Sequence, residues 1–188
     1  MAIADIFKKV LLNKQSELTR KIGSKTETLK FEKIPASLEE LKAFPEADLK
    51  SPFKTAALTV LALMNYENNN KACLEMLEFL NGPENLSTVN QQFLEERLTD
   101  KYYKPFSFFE GATPENGYTP KQPYTIKISA NQYSYPEENH AVLWLHSGGA
   151  DQPREINLRK KPSTGEWFIY TYNFLADIRA PKEQDPWA

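Results

Sequence analysis

Two histidines, one cysteine and a scatter of carboxylates and arginines are the raw material for chemistry in this chain of 188 residues. Proton transfer usually recruits histidine or tuned carboxylates. His140 and His146 lie six residues apart on one strand-like run, on the same face but separated by about 20 Å at strand rise, so they cannot share a metal. Cys73 is the single cysteine, which excludes an intramolecular disulfide and any Cys-based zinc site. No metal and no cofactor is therefore expected. The stretch SGGAD, Ser147 to Asp151, carries two glycines after a strand but lacks the lysine and following helix of a phosphate cradle. It reads as a turn. No serine sits in a Gly-x-Ser-x-Gly elbow, so that type of hydrolase has no support. The polar cluster that could still serve an enzyme is Glu110, Asp151, Arg154, Asp177 and Arg179, provided the fold makes them converge.

Binding is the stronger theme. Lys101 to Pro123 holds four prolines, two glycines and six aromatics, and structureless stretches this long are either functional or wrapped over the surface. Within FFEGATPENGYTPKQPY, Phe108 to Tyr124, the rings either pin the connection to the core or build a groove for a peptide or small ligand, with Glu110 and Glu115 supplying charge. The tail ADIRAPKEQDPWA, Ala176 to Ala188, has prolines that lower its ordering cost, and Trp187 is the expected anchor docking it on the domain. The expectation is a non-catalytic binding or interaction protein with Phe108, Phe109, Glu110, Tyr118 and Trp187 as its partner-binding residues. A protein or peptide is the expected partner.

Charge narrows the partners further. The formal net charge is −2, and although Arg159 to Lys161 lies near Trp144, Trp167 and Phe168, an acidic chain is a poor match for nucleic acid. Residues 1–30 run the other way, with seven Lys/Arg against three acids. Ala2 to Lys21 has a helical apolar stripe (Ile3, Ile6, Phe7, Val10, Leu11, Leu18) backed by lysines, which suits packing on the chain's own domain or peripheral contact with an anionic membrane. The longest apolar run, Ala56 to Met64, is far short of the ~20 residues of a membrane span. With one cysteine and no signal peptide, a reducing, cytoplasmic setting is expected.

The elements that must position these groups read as α+β. Residues 1–25 form the basic helix, and 26–188 a single domain. Its helical layer, 37–100, has about four to five helices, among them Leu38 to Phe44, Pro52 to Tyr66, Lys71 to Leu80 and Thr88 to Leu98. Ser37 and Glu40 have capping-box spacing, Ser51-Pro52 is a start signal, and Val89, Phe93, Leu94 and Leu98 are the expected buried face of the last helix. Thr28 to Ile34 alternates imperfectly, like a strand. After the 101–123 loop, Tyr124 to Ser129, Ala141 to Ser147, Arg154 to Lys161 and Glu166 to Tyr172 predict a four-stranded antiparallel meander within 124–178, with 179–188 as a docking segment.

Several separated segments, SPFKTAALTVLALMNYENN, FFEGATPENGYTPKQPYTI, INLRKK with GEWF, and LADIRAPKEQDPWA, together resemble an uncharacterised family of bacterial proteins, chiefly from Firmicutes, catalogued as a domain of unknown function. The likeness covers roughly Leu49 to Ala188. It implies a bacterial cytoplasmic setting and brings no activity, ligand or catalytic residue with it.

Overall fold

A five-stranded antiparallel sheet, in the order β1-β2-β3-β4-β5, frames the computed structural model, which describes residues 25–187. The strands are β1 (Lys25–Phe31), β2 (Tyr124–Ala130), β3 (His140–Leu145), β4 (Arg154–Lys161) and β5 (Glu166–Thr171). Between β1 and β2 run α1 (Leu38–Lys42), α2 (Pro52–Leu63), α3 (Asn70–Asn81), α4 (Thr88–Leu98) and the single turn α5 (Tyr103–Phe106). The class is α+β, but the four-strand expectation is corrected. β1 precedes the helices and pairs with β2 over its whole length, from Lys25 opposite Ala130 to Phe31 opposite Tyr124. Its partner lies far along the chain, so no hairpin turn marks the strand locally. The helical layer is thus inserted between two neighbouring strands. The expected basic helix, Ala2 to Lys21, lies outside the described residues.

α2 is the pivot of the core. Of its residues only Lys54 is not buried, because the helix contacts the sheet on one side and α3 on the other. Its two inward threonines carry their own acceptors: Thr55 Oγ1 donates to the Trp167 carbonyl at 3.0 Å and Thr59 Oγ1 to the Thr55 carbonyl at 2.8 Å. That satisfaction lets polar groups sit inside without the cost of an orphaned donor. Leu58, Leu61 and Leu63 are fully buried there, each worth roughly 2 kcal/mol of transfer free energy.

The helix ends follow the capping logic with variations. Ser37 accepts the Glu40 N–H at 3.3 Å, but the Glu40 carboxylate takes the N–H of Ala36 at 3.2 Å, one residue before the capping-box position. Ser51 makes no side-chain cap; its carbonyl instead accepts from the Thr55 amide and hydroxyl. α4 buries Leu94 and Leu98, whereas Val89 is 72% exposed, correcting the expected face. No described helix is long and apolar enough to cross a membrane.

Alternation in β2, β3 and β4 divides the sheet into two faces. Ile126, Ile128, Leu143, Leu145, Ile156 and Leu158 point into the core, while Lys127, Trp144 and Glu155 occupy the other face. The sheet is weakest in its middle. β1 and β2 share seven residue pairs, but β2 and β3 share only Ile128 with Leu145 and Ser129 with Trp144.

Candidate functional site

The site arises where β2 and β3 part. Past Leu145 the chain leaves the ladder, its last contact being the His146 N–H donating to the Lys127 carbonyl at 3.1 Å. The segment after α5 moves into the gap: Phe109 bridges to Ile126, and the Glu110 N–H donates to the Thr125 carbonyl at 2.8 Å. On the wedge's far side, the Gly148 N–H donates to the Ser107 carbonyl at 2.8 Å. The crevice left over has a volume of about 490 Å³ and is lined by Thr28 and Lys127 of the outer face, by His146 to Gly148, and by Ser107 to Thr113. That volume lies within the usual range for small-ligand pockets.

The two glycines of SGGAD explain the wedge's fit. A Cβ on Gly148 would collide with the Ala112 carbonyl oxygen, and one on Gly149 with the Tyr118 hydroxyl. They allow backbone and side chains of the long loop to lie directly against the strand exit, a close approach only glycine permits. The turn expected there is thus also a packing surface.

Each polar group in the crevice has a distinct status. Ser107 is buried and donates to the Lys104 carbonyl at 2.7 Å; Ser147 donates to Ser107 at 2.9 Å and accepts the Gly149 N–H at 3.1 Å. Those hydroxyls have spent their donors on structure. His146 Nε2 lies 2.6 Å from the Ser129 hydroxyl. Burial, seconded by the positive charge of Lys127, holds its pKa below the ordinary histidine value, so the ring is neutral at pH 7. Glu110 and Lys127 are exposed, and among the described residues neither side chain has a hydrogen-bond or ion-pair partner. The crevice therefore offers one free acid, one free base and a neutral imidazole.

A serine 2.6 Å from a histidine is the contact that hydroxyl activation requires. Two observations separate this pair from a nucleophilic dyad. Ser129 is not among the residues lining the crevice, and among the described residues no carboxylate orients the imidazole. Ser129 instead holds the His146 ring in place at the edge of the crevice.

The residues expected from sequence divide sharply. Phe108 and Phe109 are each 2% exposed and Tyr118 is 1% exposed, so the aromatic surface expected for a partner is corrected: these rings are core. Phe108 packs edge-on to Phe174 and Phe109 to Tyr124. Tyr118 stacks on Tyr103 and donates to the Arg179 carbonyl at 2.6 Å; burial pushes its phenol up to about 12. Phe108, Phe109 and Glu110 do border the crevice, and Tyr118 and Trp187 do not. Glu115 is used locally, its carboxyl held below the usual range by its own backbone amide and the Thr113 hydroxyl.

Trp187 is 94% exposed, which corrects its role as the anchor. Burial runs as far as Pro181, and the exposed turn Lys182–Gln184 still lies against Pro114–Asn116. The Arg179 N–H donates to the Gly149 carbonyl at 2.9 Å, Ile178 and Pro181 are buried, and every residue from Lys182 to Trp187 is exposed. The proposed enzymatic cluster does not converge either. Arg179 pairs with Asp151 at 2.6 Å and Arg154 with Asp177 at 3.2 Å, with both acids largely in solvent, and of the five only Glu110 lines the crevice. Sequence reading missed Lys127, Ser129 and His146 as neighbours. Alternation placed each on its strand, but the 131–139 connection, though rich in turn residues, is too long for a tight turn to fix the register.

Comparison with known proteins adds a family and no function. A family model described as Domain of unknown function (DUF6935) matches residues 33–182, which takes in α1 to β5 and the whole 107–113 wedge. No curated protein and no solved structure matches the chain.

Proposed function

We propose, for a chain that belongs to the family described as Domain of unknown function (DUF6935), that it is a non-catalytic binding protein whose ligand site is the crevice at the β2–β3 split. The observation that carries this reading is the pair of unpartnered opposite charges, Glu110 and Lys127, beside the neutral His146 in one cavity of about 490 Å³. Recognition then runs through polar groups on a rigid frame, and the aromatic loop contributes the frame. A buried lone thiol, Cys73, raised to about 12 by desolvation, is inert chemistry.

The test is a thermal-shift screen of the full chain against a library of small polar metabolites. At least one compound should raise the melting temperature in a saturable way, as expected for a ligand that binds only the folded state. Replacing Lys127 and His146 by alanine together should abolish that rise while leaving the unliganded melting temperature nearly unchanged. A rise that survives the double substitution, or a library with no stabilising compound, overturns the reading.

The basic segment Ala2 to Lys21 supports a separate proposal, peripheral contact with anionic membranes. Co-sedimentation of the full chain and of a chain starting at Lys25 with anionic vesicles tests it; equal sedimentation of both removes it.

A further inference from the structure

The charges lining the crevice define what it takes. Glu110 is fixed beside Thr125 by the 2.8 Å hydrogen bond from its own N–H, and Lys127 lies two residues further along the same strand. Two residues of strand span about 7 Å. Glu110 sits across the pairing from Thr125, so one strand spacing adds to that rise and the backbone points of acid and base are about 8 Å apart; among the described residues they form no ion pair with each other. A ligand that satisfies both carries an ammonium and an anionic group in one small molecule.

The remaining groups sharpen the anionic end. His146 sits opposite Lys127 across the split, its main-chain N–H on the Lys127 carbonyl. Ser129 Oγ and His146 Nε2 share a 2.6 Å hydrogen bond, and in the tautomer in which the hydroxyl donates, the neutral imidazole carries its proton on Nδ1, a donor for a carboxylate. Thr28, directly across the ladder from Lys127, brings a hydroxyl to the same end of the crevice. The acidic end has Glu110 alone, matching an ammonium.

Resting on the proposed ligand site above, we propose that the crevice binds a free α-amino acid as its zwitterion, the ammonium on Glu110 and the carboxylate on Lys127 and His146. A peptide end or a simple organic acid supplies only one of the two charges. A larger anion such as a nucleotide leaves Glu110 facing like charge.

The experiment is a titration of the ¹⁵N-labelled full chain with each of the twenty standard amino acids, followed by amide chemical shifts. Each binder is then repeated as its N-acetyl and its carboxamide derivative. At least one free amino acid should shift the amides of Glu110, Lys127 and His146 saturably. Blocking either charge should weaken binding at least about tenfold, the effect of losing one charge-assisted contact of about 1.4 kcal/mol. Glu110→Gln should weaken the free amino acid by a similar factor, its otherwise unchanged amide spectrum showing that the fold is intact. An N-acetyl derivative that binds as tightly as the free amino acid overturns the inference. So does a panel in which no amino acid shifts these amides. A parallel titration with sugars, nucleotides and organic acids separates the two levels: shifts of the same amides by one of these alone leave the crevice as a ligand site and overturn the amino acid, whereas no shift by any compound overturns both.

Discussion

The two faces of the sheet are built from the same strands and do opposite work. The inner face, covered by α2, is an apolar layer in which Leu61, Ile126, Leu143 and Ile156 are fully buried. The outer face near the β2–β3 split keeps Glu110 and Lys127 in solvent without partners among the described residues. Stability concentrates on the first, and the proposed recognition falls on the second. A substitution should accordingly move one property and spare the other, and variants on each face can break that division.

The largest effect belongs to the inner face. Leu61→Ala removes a fully buried side chain from the centre of α2 and should cost about 3 kcal/mol from lost transfer free energy and the cavity left behind. Urea unfolding checks it; a cost below about 1 kcal/mol would mean that the helix–sheet layer is loosely packed.

Next comes the one charged residue buried on that side among the described residues. Lys104 is 6% exposed, and burial, followed by the neighbouring charges of Lys101 and Arg97, holds its ammonium at about 8 against an ordinary 10.5. The folded state therefore binds its proton less tightly than the unfolded state. The penalty is present in full below pH 8 and is relieved as pH rises from about 8 to 10.5, where the unfolded chain binds more protons. Lys104→Met should stabilise the protein at pH 7 by up to about 3 kcal/mol, since each tenfold weakening of proton binding corresponds to roughly 1.4 kcal/mol. The gain should shrink as pH rises past 8 and vanish above about pH 10.5. A gain independent of pH would show that packing, and not charge, sets it.

Gly148→Ala joins the faces. Its added methyl meets the Ala112 carbonyl oxygen, so the wedge must shift away from the strand exit, at a cost of about 1–3 kcal/mol typical of overpacking. Unlike Leu61→Ala, it should also weaken ligand binding, because Ala112 and Gly148 both border the crevice. Calorimetric stability together with ligand affinity on this variant shows whether wedge and site act together.

The smallest effect is expected at the tail. Trp187→Ala removes a large ring that is 94% exposed, and the melting temperature should move by no more than about 0.5 kcal/mol would produce. A clear drop would restore the tail as an anchor.

How much of this the sequence made legible follows the same division. Elements with their own periodicity were readable: α4 begins at Thr88 and ends at Leu98 as expected, and β4 runs from Arg154 to Lys161. β1 was only half readable because its partner, β2, lies about a hundred residues on, with Leu29 opposite Ile126. The aromatic loop is exceptional in composition, which fits both rings pinned to the core and rings lining a groove. Composition cannot say whether Phe108 and Tyr118 face solvent or core, and the structure buries both. The crevice itself has no sequence signature. It comes from two residue pairs of register between β2 and β3 and from a wedge seated by Gly148 and Gly149.

Recognition is thereby assigned to the outer-face crevice and not to the aromatic loop, the tail or the smaller cavity of about 180 Å³ beside Tyr66 and Tyr102. A crystallographic fragment screen of small polar compounds tests that assignment most directly. Bound fragments should gather between Glu110, Lys127 and His146; fragments that gather at Tyr66 and Tyr102 or along Lys182 to Trp187, with that crevice empty, would contradict it.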